Sequence, residues 1–128
     1  NYDRLYKKYN LKKVSKDELL SQSDVVTLHT PLDDSTINML TSERLSLMKS
    51  DAILINVARG GLLDERALKH MLINGELGGA ALDVFSTEPP QDTELLTLSN
   101  FIATPHIGGS AIEAIMAMGR SAIDGLEQ

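Results

Sequence analysis

The sequence predicts an α/β fold in which a parallel β-sheet carries helices on both faces. Four short apolar runs, each typical of a buried strand, alternate with segments whose apolar residues recur at helical spacing. The runs are continuous rather than alternating, which is typical of parallel strands that are covered on both sides. A chain of 128 residues without repeats or linkers is expected to form one domain with its own core.

The first half of the chain contains two of the predicted strands. Its predicted elements are a helix around 4–9, a helix opened by the capping pair Ser15 and Glu18, a strand over 24–28, a helix over 42–48 and a strand over 51–57. Leu19 and Leu20 are the expected buried positions of the second helix. Pro31 stops the first strand from continuing, because proline lacks a backbone donor and restricts the conformation of the residue before it.

The second half contains the other two strands. Its predicted elements are a helix over 64–72 closed by Asn74-Gly75, a strand over 79–85, a loop through Pro89-Pro90, a strand over 101–104 ended by Pro105, and a long helix from Ser110 to about 126. Ser110 and Glu113 form the expected capping box of that last helix. Its expected apolar stripe consists of Ala111, Ile112, Ile115, Met118 and Ala122.

Composition argues against several classes of function. The net charge of −6 disfavours binding to nucleic acid. Half of the 12 basic residues lie within the first 16 positions, in a segment that we interpret as solvated surface. The apolar runs are too short to span a bilayer, so we expect no membrane partner. The absence of cysteine and the wide spacing of the three histidines predict no metal site. A chain without cysteine also fits a reducing compartment, and we expect a cytoplasmic protein.

Polar side chains with chemical potential follow each predicted strand. The residues at or after the four strand ends are His29 and Thr30, then Asn56 to Arg59, then Asp83 and Glu88, and finally His106. Because the carboxyl ends of parallel strands lie on one edge of a sheet, we expect these residues to converge on a single crevice.

Each of these residue types suits a step in the reduction of a 2-oxo acid. Arg59 can hold a substrate carboxylate with two hydrogen bonds and polarise the adjacent carbonyl. His106 can give or take a proton near neutral pH, and Glu88 can hydrogen-bond the imidazole and fix its tautomer. Asp83 can accept a hydrogen bond from a ligand amide. The hydride must come from another group.

A structural interpretation exists for most of these residues. Arg59 can be solvated in a surface turn, His106 can be a turn residue between a proline and two glycines, and Glu88 can be a solvated loop acid. Asp83 is harder to explain in this way, because a carboxylate inside an apolar run needs a partner.

Several motifs together resemble the D-isomer-specific 2-hydroxyacid dehydrogenases. They are Asn56-Val57-Ala58-Arg59-Gly60-Gly61, Leu82-Asp83-Val84-Phe85, Glu88-Pro89-Pro90 and Thr104-Pro105-His106-Ile107-Gly108-Gly109-Ser110, with a further match at His29-Thr30-Pro31-Leu32. This family includes D-3-phosphoglycerate dehydrogenase, glyoxylate/hydroxypyruvate reductase and D-lactate dehydrogenase. The resemblance implies a Rossmann-like sheet, NAD as cofactor, a small 2-oxo or 2-hydroxy acid as substrate, and a homodimeric complete enzyme.

The resemblance also implies residue roles. The catalytic residues would be Arg59 for substrate binding, His106 as acid/base, and Glu88 as its paired acid. The implied cofactor contacts are Asp3, Thr30, Val57, Ala58, Arg59, Asp83, His106, Gly108 and Gly109. Asp83 would lie near the nicotinamide. Tyr2-Asp3 would end the strand whose acid holds the adenosine ribose, which favours NAD over NADP because an acid repels a 2′-phosphate.

The sequence departs from the family in lacking a G-x-G-x-x-G turn before Tyr2-Asp3. We therefore expect residues 1–128 to be the C-terminal part of an NAD-binding domain, without its first β-α unit and without the substrate-binding domain. Such a chain should bind NAD weakly alone and be inactive alone. The complete protein would interconvert a 2-oxo acid and a D-2-hydroxy acid, such as glyoxylate or 3-phosphoglycerate. The alternative is a non-catalytic NAD-sensing relative or an isolated fragment of this fold.

Overall fold

A computed structural model describes residues 2–126, with side chains from Arg4 onward. The helices are α1 (Tyr2–Tyr9), α2 (Lys16–Gln22), α3 (Ser42–Leu45), α4 (Glu65–Asn74), α5 (Thr93–Leu96) and α6 (Ile112–Leu126). The strands are β1 (Val25–Leu28), β2 (Ile53–Asn56), β3 (Gly79–Leu82) and β4 (Phe101–Ala103). No helix in this part of the chain combines the length and apolarity needed to cross a membrane.

The four strands form one parallel sheet in the order β1-β2-β3-β4. Val26 pairs with Leu54, Leu54 with Ala80, and Ala80 with Phe101, so the register runs straight across the sheet. A helix lies in each connection, as a parallel ladder requires. The predicted α/β fold with a parallel sheet is therefore confirmed, and all four carboxyl ends lie on one edge.

One face of the sheet forms the core. Leu54 and Leu82 on neighbouring strands are 0% and 1% exposed. The helical side chains that pack into the same cluster are Leu20, Leu45, Leu68, Met71, Leu72 and Leu95. Burial of these apolar side chains provides the main driving force that holds α2 to α5 against the sheet.

No described residue covers the opposite face of the sheet at its two edge strands. Val25 is 56% exposed on β1, and Ile102 is 66% exposed on β4. Helix α6 buries none of its residues, so its predicted apolar stripe is exposed as well. The continuous apolar runs correctly indicated parallel strands, but the described residues do not cover the strands on both sides.

The helix caps follow local sequence chemistry closely. The Ser15 side chain accepts from the N–H of Glu18 at the start of α2, and Asp64 accepts from Arg66 and Ala67 at the start of α4. Gly75 ends α4 in the left-handed region, with φ 69°. These contacts agree with the predicted starts of both helices and with the predicted end of α4.

Four further sequence expectations differ from the structure. Leu19 is 42% exposed while Leu20 is buried, because adjacent helical residues point in different directions and only Leu20 lies on the face of α2 that meets the core. Helix α6 begins at Ile112, and the N–H of Ser110 instead donates to the Ile107 carbonyl in a preceding turn (2.9 Å). Helix α5 was not predicted, since its single turn is too short to show periodicity.

The fourth difference concerns the N-terminus. Tyr2 and Asp3 lie in α1 rather than at the end of a strand. Hydrogen bonds within a helix are local, whereas a strand needs a neighbour to pair with. The side chain of Asp3, which we expected to contact the adenosine ribose, lies outside the described residues.

Candidate active site

The predicted site residues lie at the carboxyl edge of the sheet in two neighbouring groups. A cavity of about 280 Å³ at the ends of β1 and β2 is lined by His29, Thr30, Pro31, Val57, Ala58 and Arg59. A cavity of about 230 Å³ at the ends of β3 and β4 is lined by Asp83, Phe85, Glu88, Pro89, Pro90, Thr104, Pro105 and His106. The structure thus brings the arginine to one group and the histidine with both acids to the other, so the expected single crevice consists of two separate cavities within the described residues.

The turn that carries Arg59 is held by a buried amide. Asn56 is 1% exposed, and its side-chain amide donates to the Arg59 carbonyl (2.9 Å) while its oxygen accepts from the Ala58 N–H (3.1 Å). The Arg59 guanidinium is exposed and donates only to the Ala58 carbonyl (2.6 Å). Within the described residues it forms no ion pair, so its charge is available to an anionic ligand.

Gly60 joins the Arg59 turn to the loop after β3. A Cβ atom at Gly60 would lie 1.8 Å from the Phe85 carbonyl oxygen and 2.6 Å from the Ser86 nitrogen. Only glycine allows the two backbones to approach this closely. The loop that leads from Phe85 to Glu88 is therefore packed directly against the turn that presents Arg59.

His106 and Glu88 form a hydrogen-bonded pair in the second cavity. The His106 Nδ1 lies 2.9 Å from Glu88 Oε2, and the second carboxylate oxygen accepts from the Phe85 N–H (3.0 Å). The hydrogen bond with His106, followed by that of the Phe85 N–H, holds the pKa of the Glu88 carboxyl below its ordinary 4.5. An ionised carboxylate only accepts, so Nδ1 is the donor and Nε2 is left to face a ligand.

Asp83 is a buried carboxylate whose partners come from its own chain. It is 5% exposed and accepts from the Thr104 hydroxyl (2.5 Å), the Ile107 N–H (2.9 Å) and the Gly108 N–H (2.8 Å). The hydrogen bond from the Thr104 hydroxyl is the largest cause of the lowered pKa of Asp83. Together with the two N–H groups it outweighs burial, which raises the pKa. A carboxylate has about four acceptor positions, so one remains for a ligand amide.

The first cavity contains a polar atom without a partner. The Thr30 hydroxyl oxygen is buried and has no hydrogen bond within the described residues. Val57 and Ala58 line the same space. An orphaned hydroxyl beside apolar side chains, and one free acceptor position on Asp83, fit the polar and apolar parts of a nicotinamide nucleotide. These residues therefore suit the cofactor that the sequence motifs imply.

The family model described as "D-isomer specific 2-hydroxyacid dehydrogenase, NAD binding domain" matches residues 1–108. The chain belongs to this family. NAD is accordingly the cofactor of the domain to which these residues belong. The members of the family are oxidoreductases that act on small 2-hydroxy acids.

Individual 2-hydroxyacid dehydrogenases are similar to this chain in sequence and in structure. The chain is 50% identical over 103 residues to a D-3-phosphoglycerate dehydrogenase of Methanocaldococcus jannaschii, covering 80% of this chain and 20% of that protein. A D-lactate dehydrogenase from Sporolactobacillus superposes with a TM-score of 0.86 at 40% identity, over 94% of this chain and 41% of that chain.

An NAD-complexed 2-hydroxyacid dehydrogenase from Lactobacillus delbrueckii ssp. bulgaricus superposes with a TM-score of 0.75 at 35% identity, over 85% of this chain and 37% of that chain. The chain spans 19% to 39% of the length of the curated relatives it matches.

Two residues of the candidate site had no predicted role. Asn56 closes the Arg59 turn, and Thr104 donates to Asp83. Both are polar residues at the end of an apolar strand, and a polar group in that position must find a partner inside the protein. That signal was readable in the sequence, but the partners themselves come from the fold.

A larger cavity shares the lining residues Phe85 and Pro90 with the second cavity but is lined by none of the predicted site residues. Its volume is about 570 Å³, and its lining includes Leu32, Leu63, Arg66 and Leu95 but none of Arg59, Glu88 and His106. Volume alone is a poor guide here, because the convergent polar groups lie in the two smaller spaces. Among residues 2–126 there is no cluster of three potential metal ligands.

Acid is expected to break the His106–Glu88 pair only below the ordinary pKa of a glutamate. The folded pKa of Glu88 is lowered, so its contribution is complete above 4.5 and is lost as the pH falls through the folded value. Carbon-13 NMR of the Glu88 carboxyl should therefore show a midpoint below 4.5. His106→Gln should raise that midpoint, and His70→Gln on the exposed side of α4 should not. Equal midpoints in wild type and His106→Gln would contradict the pairing.

Proposed function

We propose that residues 1–128 form the C-terminal part of the NAD-binding domain of an enzyme that interconverts a 2-oxo acid and a D-2-hydroxy acid. The observation that carries the proposal is the His106–Glu88 pair on the same sheet edge as the Arg59 guanidinium, which forms no ion pair within the described residues. Substrates of the size of glyoxylate or 3-phosphoglycerate fit this proposal. The complete enzyme would add a substrate-binding domain and act as a homodimer.

Arg59 is proposed to bind the substrate carboxylate. Its planar guanidinium can donate two parallel hydrogen bonds, which fixes the position of the acid group and of the carbon next to it. The Asn56 amide supports this role, because it holds the backbone on both sides of Ala58. A guanidinium beside the reacting carbonyl also stabilises the negative charge that develops on its oxygen.

His106 is proposed to move the proton. Glu88 holds Nδ1, so Nε2 is the nitrogen that gives a proton to the developing alkoxide during reduction and takes it back during oxidation. The fixed ring saves the entropy of orienting the acid at the moment of reaction.

The cofactor is proposed to lie across both cavities. Thr30, Val57 and Ala58 would contact it in the first cavity, and Asp83, Gly108 and Gly109 in the second, with Asp3 at the adenosine ribose. NAD, when bound, supplies or accepts the hydride. The chain's own residues then bind the acid group, orient the carbonyl and carry the proton.

The test is the turnover of the complete reading frame with a panel of 2-oxo acids and NADH, followed as loss of NADH absorbance. His106→Gln is expected to lower kcat by about 10²–10⁴-fold, because a positioned acid/base is lost. His70→Gln serves as the control and should keep wild-type kcat. Normal turnover of His106→Gln would contradict the proposal. NAD binding by calorimetry without turnover on any 2-oxo acid would also contradict it and favour the NAD-sensing alternative.

A further inference from the structure

His106 is held in an unfavourable backbone conformation. Its φ is 55°, in the left-handed region that residues other than glycine rarely adopt. A residue stays in that region only when the surrounding structure determines its position strongly. The direction of the imidazole therefore depends on whatever fixes the turn on either side of His106.

The turn after His106 is fixed by one carboxylate. The consecutive N–H groups of Ile107 and Gly108 donate to the two oxygens of Asp83, at 2.9 Å and 2.8 Å. Asp83 follows β3 directly, and it is buried among residues of the sheet edge. The bidentate contact therefore ties the histidine turn to the central part of the sheet.

Thr104 donates the third hydrogen bond to this carboxylate. The Thr104 hydroxyl donates to Asp83 Oδ1 at 2.5 Å, and the Thr104 N–H donates to the Leu82 carbonyl at 3.0 Å. The same residue thus anchors the end of β4 to β3 and orients the acid next to Leu82. We propose that Thr104 is a positioning residue that acts through Asp83 to hold the His106 turn in register with Glu88.

The chemistry of the site favours a hydroxyl at this position. Two of the three donors to Asp83 are backbone groups of the turn itself, so they cannot orient the carboxylate independently of that turn. Thr104 is the donor from outside the turn. Serine would keep this donor, whereas valine has nearly the same shape and removes it, leaving a buried charge with one fewer hydrogen bond.

A second route to the same carboxylate is available at Gly108. A Cβ atom there would lie 2.9 Å from Asp83 Oδ2, while a Cβ atom at Gly109 would meet nothing within 4 Å. Gly108→Ala should therefore displace the carboxylate from the other side. Gly109→Ala changes the adjacent residue in the same way without that contact and is its matched control.

The experiment uses the 128-residue chain with nitrogen-15-labelled histidine and NMR at a pH that keeps the imidazole neutral. Wild type and Thr104→Ser should show His106 in the Nδ1–H tautomer that donates to Glu88. Thr104→Val should shift the ring toward the Nε2–H tautomer and speed exchange of the Ile107 and Gly108 amides by about tenfold. Thr97→Val, which removes a threonine hydroxyl on the surface, should change neither reading.

Two outcomes would overturn the inference. One is a Thr104→Val chain that is folded and keeps both the wild-type tautomer and the wild-type amide exchange. The other outcome decides the matter if Thr104→Val does not fold. It is a Gly108→Ala chain whose His106 spectrum is the same as that of Gly109→Ala.

The catalytic meaning of this positioning rests on the proposed function, and the two can fail separately. In the complete enzyme, Thr104→Val should lower kcat with little change in KM for the 2-oxo acid, because Arg59 is unchanged. Thr104→Ser keeps the hydroxyl and should have the wild-type kcat. Normal turnover of His106→Gln would defeat the proposed function and leave the NMR result standing. An inactive His106→Gln together with unchanged kcat, tautomer and amide exchange in Thr104→Val would defeat this inference alone.

Discussion

Replacing Arg59 with glutamine in the complete enzyme is expected to lower kcat/KM for a 2-oxo acid by about 100-fold or more. The guanidinium is exposed and has no acidic partner in the described chain, so its charge is free to bind the substrate. Glutamine keeps much of the length but loses the charge and the two-pronged geometry. Most of the effect should appear in KM, measured by steady-state kinetics with NADH.

Two further variants separate the geometry of Arg59 from its charge. Arg59→Lys keeps the charge and should recover only part of the loss, because an ammonium is a point charge without the planar fork. Arg66→Gln removes an exposed arginine from α4, and it should keep the wild-type kcat/KM. Wild-type kcat/KM in Arg59→Gln would rule out the proposed contact between Arg59 and the substrate.

The fold and the strand-end chemistry were readable from the sequence because their signals are local. Ser15 caps the start of α2 by a contact with a residue three positions later. Asp64 and Gly75 cap the two ends of α4 by similarly local contacts. The parallel topology then follows from the order of elements, and it places every strand end on one edge. The meeting of Glu88 and His106 was predictable for the same reason, although 18 residues separate them.

Other features depend on contacts that no local pattern specifies. A buried carboxylate at Asp83 predictably needed a partner, but its donors Thr104, Ile107 and Gly108 come from the next strand end, 21 to 25 residues later. The choice between Leu19 and Leu20 depends on where α2 meets the core. The exposed face of the sheet also could not be inferred, because an apolar run shows only that a strand can be covered, and not which residues cover it.

Gly60 offers the strongest test of how the two halves of the site are joined. Gly60→Ala would place a methyl group 1.8 Å from the Phe85 carbonyl oxygen, which is backbone and cannot rotate away. The turn and the loop must therefore separate. We expect a loss of at least about 3 kcal/mol in the free energy of unfolding, at the high end for a single substitution. Urea denaturation of the 128-residue chain, followed by circular dichroism, measures this loss.

The matched control for this substitution is Gly119→Ala. A Cβ atom at Gly119 in α6 would meet nothing within 4 Å, and alanine favours a helix interior over glycine by about 1 kcal/mol. The two alanine substitutions should therefore shift stability in opposite directions. A Gly60→Ala chain as stable as wild type would show that the Arg59 turn and the loop to Glu88 are not in backbone contact. The position of Arg59 relative to the loop that carries Glu88 would then not depend on this contact. The close approach at Gly60 instead predicts that the stability of the fold and the alignment of Arg59 with the His106–Glu88 pair are lost together.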